Sequence, residues 1–305
     1  MHARRLILSL LVLFVVCHVA EAAPRKKVLV IGIDGCRTDA LKEADTPQLD
    51  RLIANGVLVE NTSILGERAT GSDTVSGPGW SSILTGVWAD KHGVKDNKFA
   101  GADYHAYPHF FRRVKDARPT AFTASIVTWE PIHERIVTAA DAALVFPSDK
   151  LEQYAVNDVK VAAEAKTLLE TKDPDAVFLY FGVVDETGHT HGFHPTVKPY
   201  VNAISTTDTR VGIVLDALRA RPTYADEDWL VIVCTDHGGR GTSHGKCHEY
   251  PEVRNVFLIV SGPSVVKQPV EQPTFLVDVP ATALTHLGVA IDPKWKLDGR
   301  PVGLK

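Results

Sequence analysis

The pair Asp236-His237 ends a continuous apolar run, and this arrangement strongly constrains what the chain can fold into. Residues 229–234, WLVIVC, predict a strand buried on both faces, as in the parallel sheets of α/β proteins. Ligands of open α/β sheets bind at the carboxyl ends of the strands. A carboxylate beside an imidazole there suits a divalent metal ion, although such an Asp can also simply orient its neighbouring His.

A second apolar run, VLVIGI at residues 28–33, ends in Asp34-Gly35. A glycine-rich turn after a first strand invites a dinucleotide-binding interpretation. That interpretation fails because GxGxxG is absent and an acid stands where the pyrophosphate must approach closely. Asp34 is therefore either a further metal ligand or a cap for the helix that follows.

A third strand is predicted over residues 176–184, and Asp185 and His189 follow it. Their spacing of four places both side chains on one face of a helical turn. His191 and His194 lie nearby, and some of these imidazoles must be bystanders because zinc takes only three or four protein ligands. A polar, His-rich loop that binds nothing is the alternative.

Two other segments offer the remaining candidates. His244 and His248 precede a strand predicted over 255–260, and either could complete a site, or both could lie in an exposed loop. Ser76 stands before a helix predicted over 78–84 with Pro in its first turn. It could be an N-cap, a nucleophile at a helix end that favours anions, or both.

Apolar strands alternate with helical patterns along the whole chain. This alternation predicts one α/β domain with a mostly parallel central sheet and helices on both faces. The main helices are predicted at 47–55, 158–171, 197–220 and 277–287, and a further strand at 122–127.

The amino-terminal segment predicts export. Arg4 and Arg5 precede an apolar core at 6–17, and Ala20-Glu21-Ala22 is an A-x-A cleavage site. We therefore expect residues 1–22 to be a signal peptide, residues 23–305 to form the domain, and the protein to be secreted or periplasmic. The apolar core is shorter than the roughly 20 residues of a membrane span, so no stable membrane anchor is expected.

Net charge argues against nucleic acid as a bulk partner. The chain carries −4, and losing two Arg and one Glu with the signal peptide lowers this by one unit, to −5. An anionic substrate must then be attracted locally, by a buried metal cluster.

The order of these motifs resembles the alkaline phosphatase superfamily, and most closely its type I phosphodiesterase/nucleotide pyrophosphatase branch. SGPGWSSILTG at 76–86 aligns without a gap with that branch's T-F-P-N-H-Y-S-I-V-T-G, and HGVKDN at 92–97 resembles H-G-I-x-x-N. VVDETGH at 183–189 and TDHGG at 235–239 resemble P-D-x-x-G-H and S/A-D-H-G-M. The resemblance continues through 244–263 and implies the alkaline phosphatase-like fold.

The resemblance also implies the roles of individual residues. Ser76 takes the nucleophile position and Asn97 the phosphoryl-binding position. Two divalent metal ions are implied, one held by Asp185, His189 and His244, the other by the ligands Asp34, Asp236, His237 and the Ser76 oxygen. The offsets to downstream motif residues favour His244 over His248. Three imidazoles suit zinc.

Two departures from the pattern matter. The usual Thr is Ser76, and the aromatic-Pro-Asn of the motif is Gly77-Pro78-Gly79, which leaves the leaving-group pocket open. Thr74 is a second candidate nucleophile. Sulfatases of the same fold use C/S-x-P-x-R, and Trp80 stands where their Arg belongs.

The expected function is hydrolysis of a small phosphate-ester substrate, a diester or pyrophosphate, through a phosphoseryl intermediate. A phosphomonoesterase is the first alternative, and Arg37 and Arg240 could then grip the additional charge. A carbon–phosphorus hydrolase of similar ligand set is the second. A metal-binding pseudoenzyme is the non-enzyme alternative, but the chain retains every implied ligand and the nucleophile.

Overall fold

The computed structural model describes residues 23–304, and one seven-stranded sheet organises them. The three strands that carry the predicted ligand motifs are almost wholly buried, as continuous apolar runs require. The strands are β1 (Arg25–Ile33), β2 (Gly56–Ser63), β3 (Thr123–Val127), β4 (Ala142–Val145), β5 (Ala176–Phe181), β6 (Glu227–Cys234) and β7 (Asn255–Ser261).

The order of strands across the sheet is β2-β7-β6-β1-β5-β3-β4. β1 pairs in parallel with both β5 and β6, so that Val28 lies beside Ala176 and Leu230. β3 pairs in parallel with β5 and with β4, whereas β7 is antiparallel to β6 and to β2. The prediction of a mostly parallel sheet is confirmed.

Two sets of helices cover the faces of the sheet. The helices are α1 (Thr38–Glu43), α2 (Pro47–Ala54), α3 (Ser76–Thr85), α4 (Ala89–His92), α5 (Phe110–Ala117), α6 (Leu151–Thr171), α7 (Val183–His191), α8 (Lys198–Arg219), α9 (Pro251–Arg254) and α10 (Asp278–His286). One set packs around the long helix α8 and comprises α1, α2, α6 and α7, and the other comprises α3, α4, α5 and α10. Helices on both faces were predicted from the alternation of patterns, and that prediction is also confirmed.

The predicted strand at 176–184 was too long. β5 ends at Phe181, and α7 begins at Val183. The buried carboxylate of Asp158 explains the change, because it accepts hydrogen bonds from the backbone N–H groups of Gly182 and Val183, at 3.2 and 3.0 Å. An acid at a helix amino terminus satisfies N–H groups that have no partner within the helix.

Asp158 itself belongs to α6, which begins at Leu151, seven residues before the predicted start. The predicted signal peptide lies outside the described residues. Among residues 23–304 no helix combines the length and apolar character needed to cross a membrane.

Candidate metal centre

The carboxyl edge of the sheet gathers the predicted site residues. Asp34 follows β1, Asp236 and His237 follow β6, and Asp185 lies in the first turn of α7, just beyond β5. His244 lies in the loop between β6 and β7. That loop reaches the same edge because β7 runs antiparallel to β6.

The first cluster is formed by Asp34, Asp236, His237 and Ser76. The Nε2 atom of His237 lies 3.2 Å from Oδ2 of Asp236 and 3.5 Å from Oδ1 of Asp34. The Oγ atom of Ser76 lies 3.3 Å from the same Nε2 atom. Three candidate ligand atoms and the hydroxyl thus converge on one small volume, and all four residues are buried.

The second cluster is formed by Asp185, His189 and His244. Asp185 Oδ2 lies 3.3 Å from Nε2 of His189, as the spacing of four on a helix predicts. Asp185 Oδ1 lies 3.6 Å from Nε2 of His244. The ring of His244 also stacks on that of His237 with centroids 3.7 Å apart, so the two clusters adjoin.

Backbone carbonyls fix which nitrogen of each imidazole faces the site. The Nδ1 atoms of His189, His237 and His244 lie 2.9 Å from the carbonyl oxygens of Thr242, Gly238 and Thr74. Each Nδ1 must therefore carry a proton and donate, which leaves the lone pair on Nε2 directed at the site. The Nε2 atoms of His189 and His244 are 3.0 Å apart, a separation that two lone pairs tolerate only with a cation or proton between them.

The carboxylates of the site present oxygens that lack hydrogen-bond partners in the described part of the chain. Three buried oxygens, Oδ1 of Asp34, Oδ1 of Asp185 and Oδ2 of Asp236, have no hydrogen-bond partner among the described residues. Burial, and then repulsion from neighbouring carboxylates, raises the pKa of Asp34 and of Asp236. Unpaired buried carboxylates are costly, and cations beside these oxygens would remove that cost. The donor set therefore fits divalent metal ions.

Gly35 allows the loop after β1 to pass directly over Asp185. Its φ is +63°, and a Cβ at this position would lie 2.3 Å from Oδ1 of Asp185. The backbone N–H of Gly35 also donates to Oδ1 of Asp236, at 3.3 Å. Only glycine satisfies both the left-handed conformation and the close approach.

Ser76 is the first residue of α3 and not its N-cap, which is Val75. The Oδ1 atom of Asn97 accepts a hydrogen bond of 2.7 Å from the N–H of Gly77, and Pro78 has no N–H to offer. Of the first three residues of α3, only Ser76 therefore has an N–H without a hydrogen-bond partner in the described part of the chain, and this group is available to an anion. The side chain of Asn97 therefore contacts the start of α3 through its oxygen, and its amide nitrogen has no hydrogen-bond partner among residues 23–304.

The structure separates the alternative candidates from the cluster. His194 hydrogen-bonds to Thr196, and neither His191 nor His194 pairs with a site carboxylate among the described residues. His248 donates to the carbonyl of Ser72 at 2.8 Å. The hydroxyl of Thr74 hydrogen-bonds to the carbonyl of His244 and accepts from the N–H of Cys247, so it supports the His244 loop.

Both arginines considered as a clamp for a more highly charged substrate are already engaged. Arg37 donates to both carboxylate oxygens of Asp39 and to the carbonyls of Phe193 and Gly239. Arg240 donates to Glu252 at 2.8 Å and lies over the ring of Tyr250. Arg37 thus uses four of its five N–H donors, whereas Arg240 uses one and stays exposed.

Two residues that the sequence motifs did not indicate also touch the site. Trp80 Nε1 and the Tyr180 hydroxyl both donate to Oδ2 of Asp34, at 2.8 and 2.7 Å. The available signal was Gly32 inside an otherwise apolar strand, since such a glycine often marks the close approach of another group.

Comparison with known protein families agrees with the resemblance that the sequence motifs indicated. Residues 28–254 match the family described as type I phosphodiesterase / nucleotide pyrophosphatase. Bis(5'-adenosyl)-triphosphatase ENPP4 of Homo sapiens is 26% identical over 227 residues, which are 70% of this chain and 47% of that protein. The chain thus spans about half the length of the curated relatives it matches.

Solved structures show the same fold. A 2-O GAG sulfatase superimposes with a TM-score of 0.70 at 14% identity, covering 92% of this chain and 73% of that one. Murine ectonucleotide pyrophosphatase / phosphodiesterase 5 superimposes with a TM-score of 0.64 at 17% identity, covering 88% and 96%.

Proposed function

Because the chain belongs to the type I phosphodiesterase/nucleotide pyrophosphatase family, we propose that it hydrolyses phosphoric diesters or pyrophosphates at this edge of the sheet. The observation that carries the proposal is the convergence of three imidazole Nε2 atoms and three unpartnered carboxylate oxygens beside the hydroxyl of Ser76. The name of one relative, bis(5'-adenosyl)-triphosphatase, denotes an activity of the same reaction class.

We assign the six side chains to two divalent metal ions, with zinc as the expected metal. Asp185, His189 and His244 would hold one ion, and Asp34, Asp236, His237 and the Ser76 oxygen the other. Such ions favour the ionised serine oxygen and stabilise negative charge on the leaving oxygen. Imidazole-rich ligand sets favour zinc over calcium or magnesium.

The proposed nucleophile is Ser76. Its Oγ loses its proton and attacks phosphorus in line, the bond from phosphorus to the leaving oxygen breaks, the leaving oxygen departs as an alcohol or phosphate after taking up a proton, and a phosphoseryl ester that retains the substrate's other group forms. Water then cleaves the phosphoseryl ester and restores the hydroxyl. The position of Ser76 at the first residue of α3 holds Oγ at the cluster without the entropy cost of a flexible loop.

The preference for diesters follows from the donors beside Ser76. The N–H of Ser76 and the amide nitrogen of Asn97 are neutral, which suits the single negative charge of a diester. A monoester dianion would be better matched by a cationic pair, but Arg37 is tied to Asp39 and to two backbone carbonyls, which leaves Arg240, in one exposed ion pair with Glu252, as the remaining candidate. We also propose that residues 1–22 direct export, leaving the domain of 23–305 secreted or periplasmic.

The substrate preference is tested by comparing methyl p-nitrophenyl phosphate with p-nitrophenyl phosphate, each with added zinc. The ratio of kcat/KM for the diester to that for the monoester should exceed one. A ratio well below one that rises towards one in Arg240→Ala would instead identify a monoesterase that uses Arg240 as its clamp.

A further inference from the structure

Asp34 has two oxygens in different surroundings. Oδ2 accepts hydrogen bonds from Trp80 Nε1 and from the Tyr180 hydroxyl, at 2.8 and 2.7 Å. Oδ1 has no hydrogen-bond partner among the described residues and lies 3.5 Å from Nε2 of His237. A carboxylate oxygen has about two lone-pair positions, so two donors saturate Oδ2.

Trp80 reaches Asp34 because β1 carries a glycine beneath it. A Cβ at Gly32 would lie 2.3 Å from the indole ring, so no larger residue fits there with Trp80 in place. The indole also makes edge contacts with Phe178 and Tyr180, with centroids 5.8 and 5.3 Å apart. Packing on three sides therefore fixes the direction of the indole N–H.

Tyr180 is fixed in the same way. It lies in β5, next to β1 in the sheet, where it pairs with Gly32. Its side chain is 3% exposed, so its hydroxyl has little access to water and is committed to Asp34. Both donors are thus held by the core and not by surface loops.

We propose that Trp80 and Tyr180 are positioning residues that make Asp34 a one-oxygen ligand. This inference rests on the proposed metal centre. Four atoms would suffice for a zinc ion of the usual coordination number: Oδ1 of Asp34, one oxygen of Asp236, Nε2 of His237 and Oγ of Ser76. A two-oxygen Asp34 would occupy a fifth position and compete with the serine oxygen, and the two donors on Oδ2 prevent this.

The test uses the full domain and two variants that remove one donor each, Tyr180→Phe and Trp80→Phe. Competitive zinc titration should show two sites in the wild type and an affinity about tenfold weaker at one of them in each variant, as is typical when a second-sphere partner of a ligand is lost. In the Co²⁺-loaded variants the visible bands of that site should weaken, because their intensity falls as coordination number rises.

Tyr154→Phe is the matched control. Tyr154 is another buried tyrosine, its ring abuts Gly182, and its hydroxyl donates to none of the site carboxylates among the described residues. It should retain both affinities and the cobalt spectrum whatever happens to its stability. If Trp80→Phe fails to fold, Tyr180→Phe decides the matter alone.

Zinc binding by the wild type and by Tyr180→Phe distinguishes the role of the two donors from the existence of the metal centre. Two zinc sites in the wild type with unchanged affinities and cobalt bands in Tyr180→Phe would overturn the role of the donors and leave the metal centre standing. A wild type that binds no zinc would overturn both. Selective weakening of one site, absent from Tyr154→Phe, is the expected result.

Discussion

The side chains of the candidate site are oriented by the atoms on their outer sides. Each imidazole donates through Nδ1 to a backbone carbonyl, which turns Nε2 towards the site. The sequence indicated the residue types and the preference for His244 over His248. It could not indicate the partners Thr242, Gly238 and Thr74, because each bond joins the ring to a carbonyl whose direction depends on the folded loop.

The nucleophile is tested by comparing Ser76→Ala with Thr74→Ala. Ser76→Ala should lower kcat by about 10³-fold or more while KM changes little, because only the attacking oxygen is removed. Thr74→Ala should cost far less, through loosening of the His244 loop. Near-normal turnover in Ser76→Ala with loss in Thr74→Ala would transfer the role to Thr74.

Secondary-structure elements were easiest to predict where a continuous apolar run or a long helical pattern determined them. β1, β6 and β7 were placed within three residues at each end. β2 and β4 were both missed: β2 is only partly buried, and β4 is a run of only four residues, too short to stand out as a strand. The early start of α6 and the end of β5 depend on buried Asp158, a contact between elements that periodicity does not show.

The loop after β1 provides an element-scale prediction. Gly35→Ala introduces a methyl group 2.3 Å from Oδ1 of Asp185 in addition to left-handed strain at φ +63°. We expect the free energy of unfolding to fall by more than the roughly 1 kcal/mol that the strain alone costs. We also expect weaker zinc binding, because α7 or the loop must move.

Gly288→Ala is its control. Gly288 has φ +72°, and a Cβ built there meets no atom within 4 Å from elsewhere in residues 23–304, so this variant carries the strain without the collision. It should lose about 1 kcal/mol of stability and keep zinc affinity. Equal metal affinity in the two variants would contradict the role assigned to Gly35.

The two ends of the strands carry two different charged regions. The carboxyl edge carries the candidate site, whereas the amino edge carries an ion-pair network of Arg25, Lys27, Asp173, Arg221 and Glu227. In that network each acid has a cationic partner. The site carboxylates instead keep unpartnered oxygens, which distinguishes a binding site from a structural network.

Buried histidines away from the site predict how stability depends on pH. Burial lowers the pKa of His92 and of His109 from 6.5 to about 4. The unfolded chain binds protons below pH 6.5 while the folded chain does not until about pH 4. The contribution of these two histidines to stability is therefore complete above pH 6.5 and falls between these values, by up to about 3 kcal/mol per histidine.

His109→Gln should flatten the fall of Tm between pH 6.5 and 4. The Nδ1 atom of His109 has no hydrogen-bond partner among residues 23–304, so little else is lost. The exposed His105 is the control, and His105→Gln should leave the curve as in the wild type. If the plot of Tm against pH for His109→Gln runs parallel to that of the wild type, the effect assigned to the burial of His109 is contradicted.

The proposed two-metal centre is tested most directly by the metal content of the domain after zinc saturation and removal of free metal. The wild type should contain two zinc ions per chain. Asp236→Asn should contain one, because an amide is a poor ligand without charge, and most turnover should be lost with the second ion. One ion or none in the wild type, or two tightly held ions in Asp236→Asn, would contradict the assignment of these residues to a two-metal hydrolase.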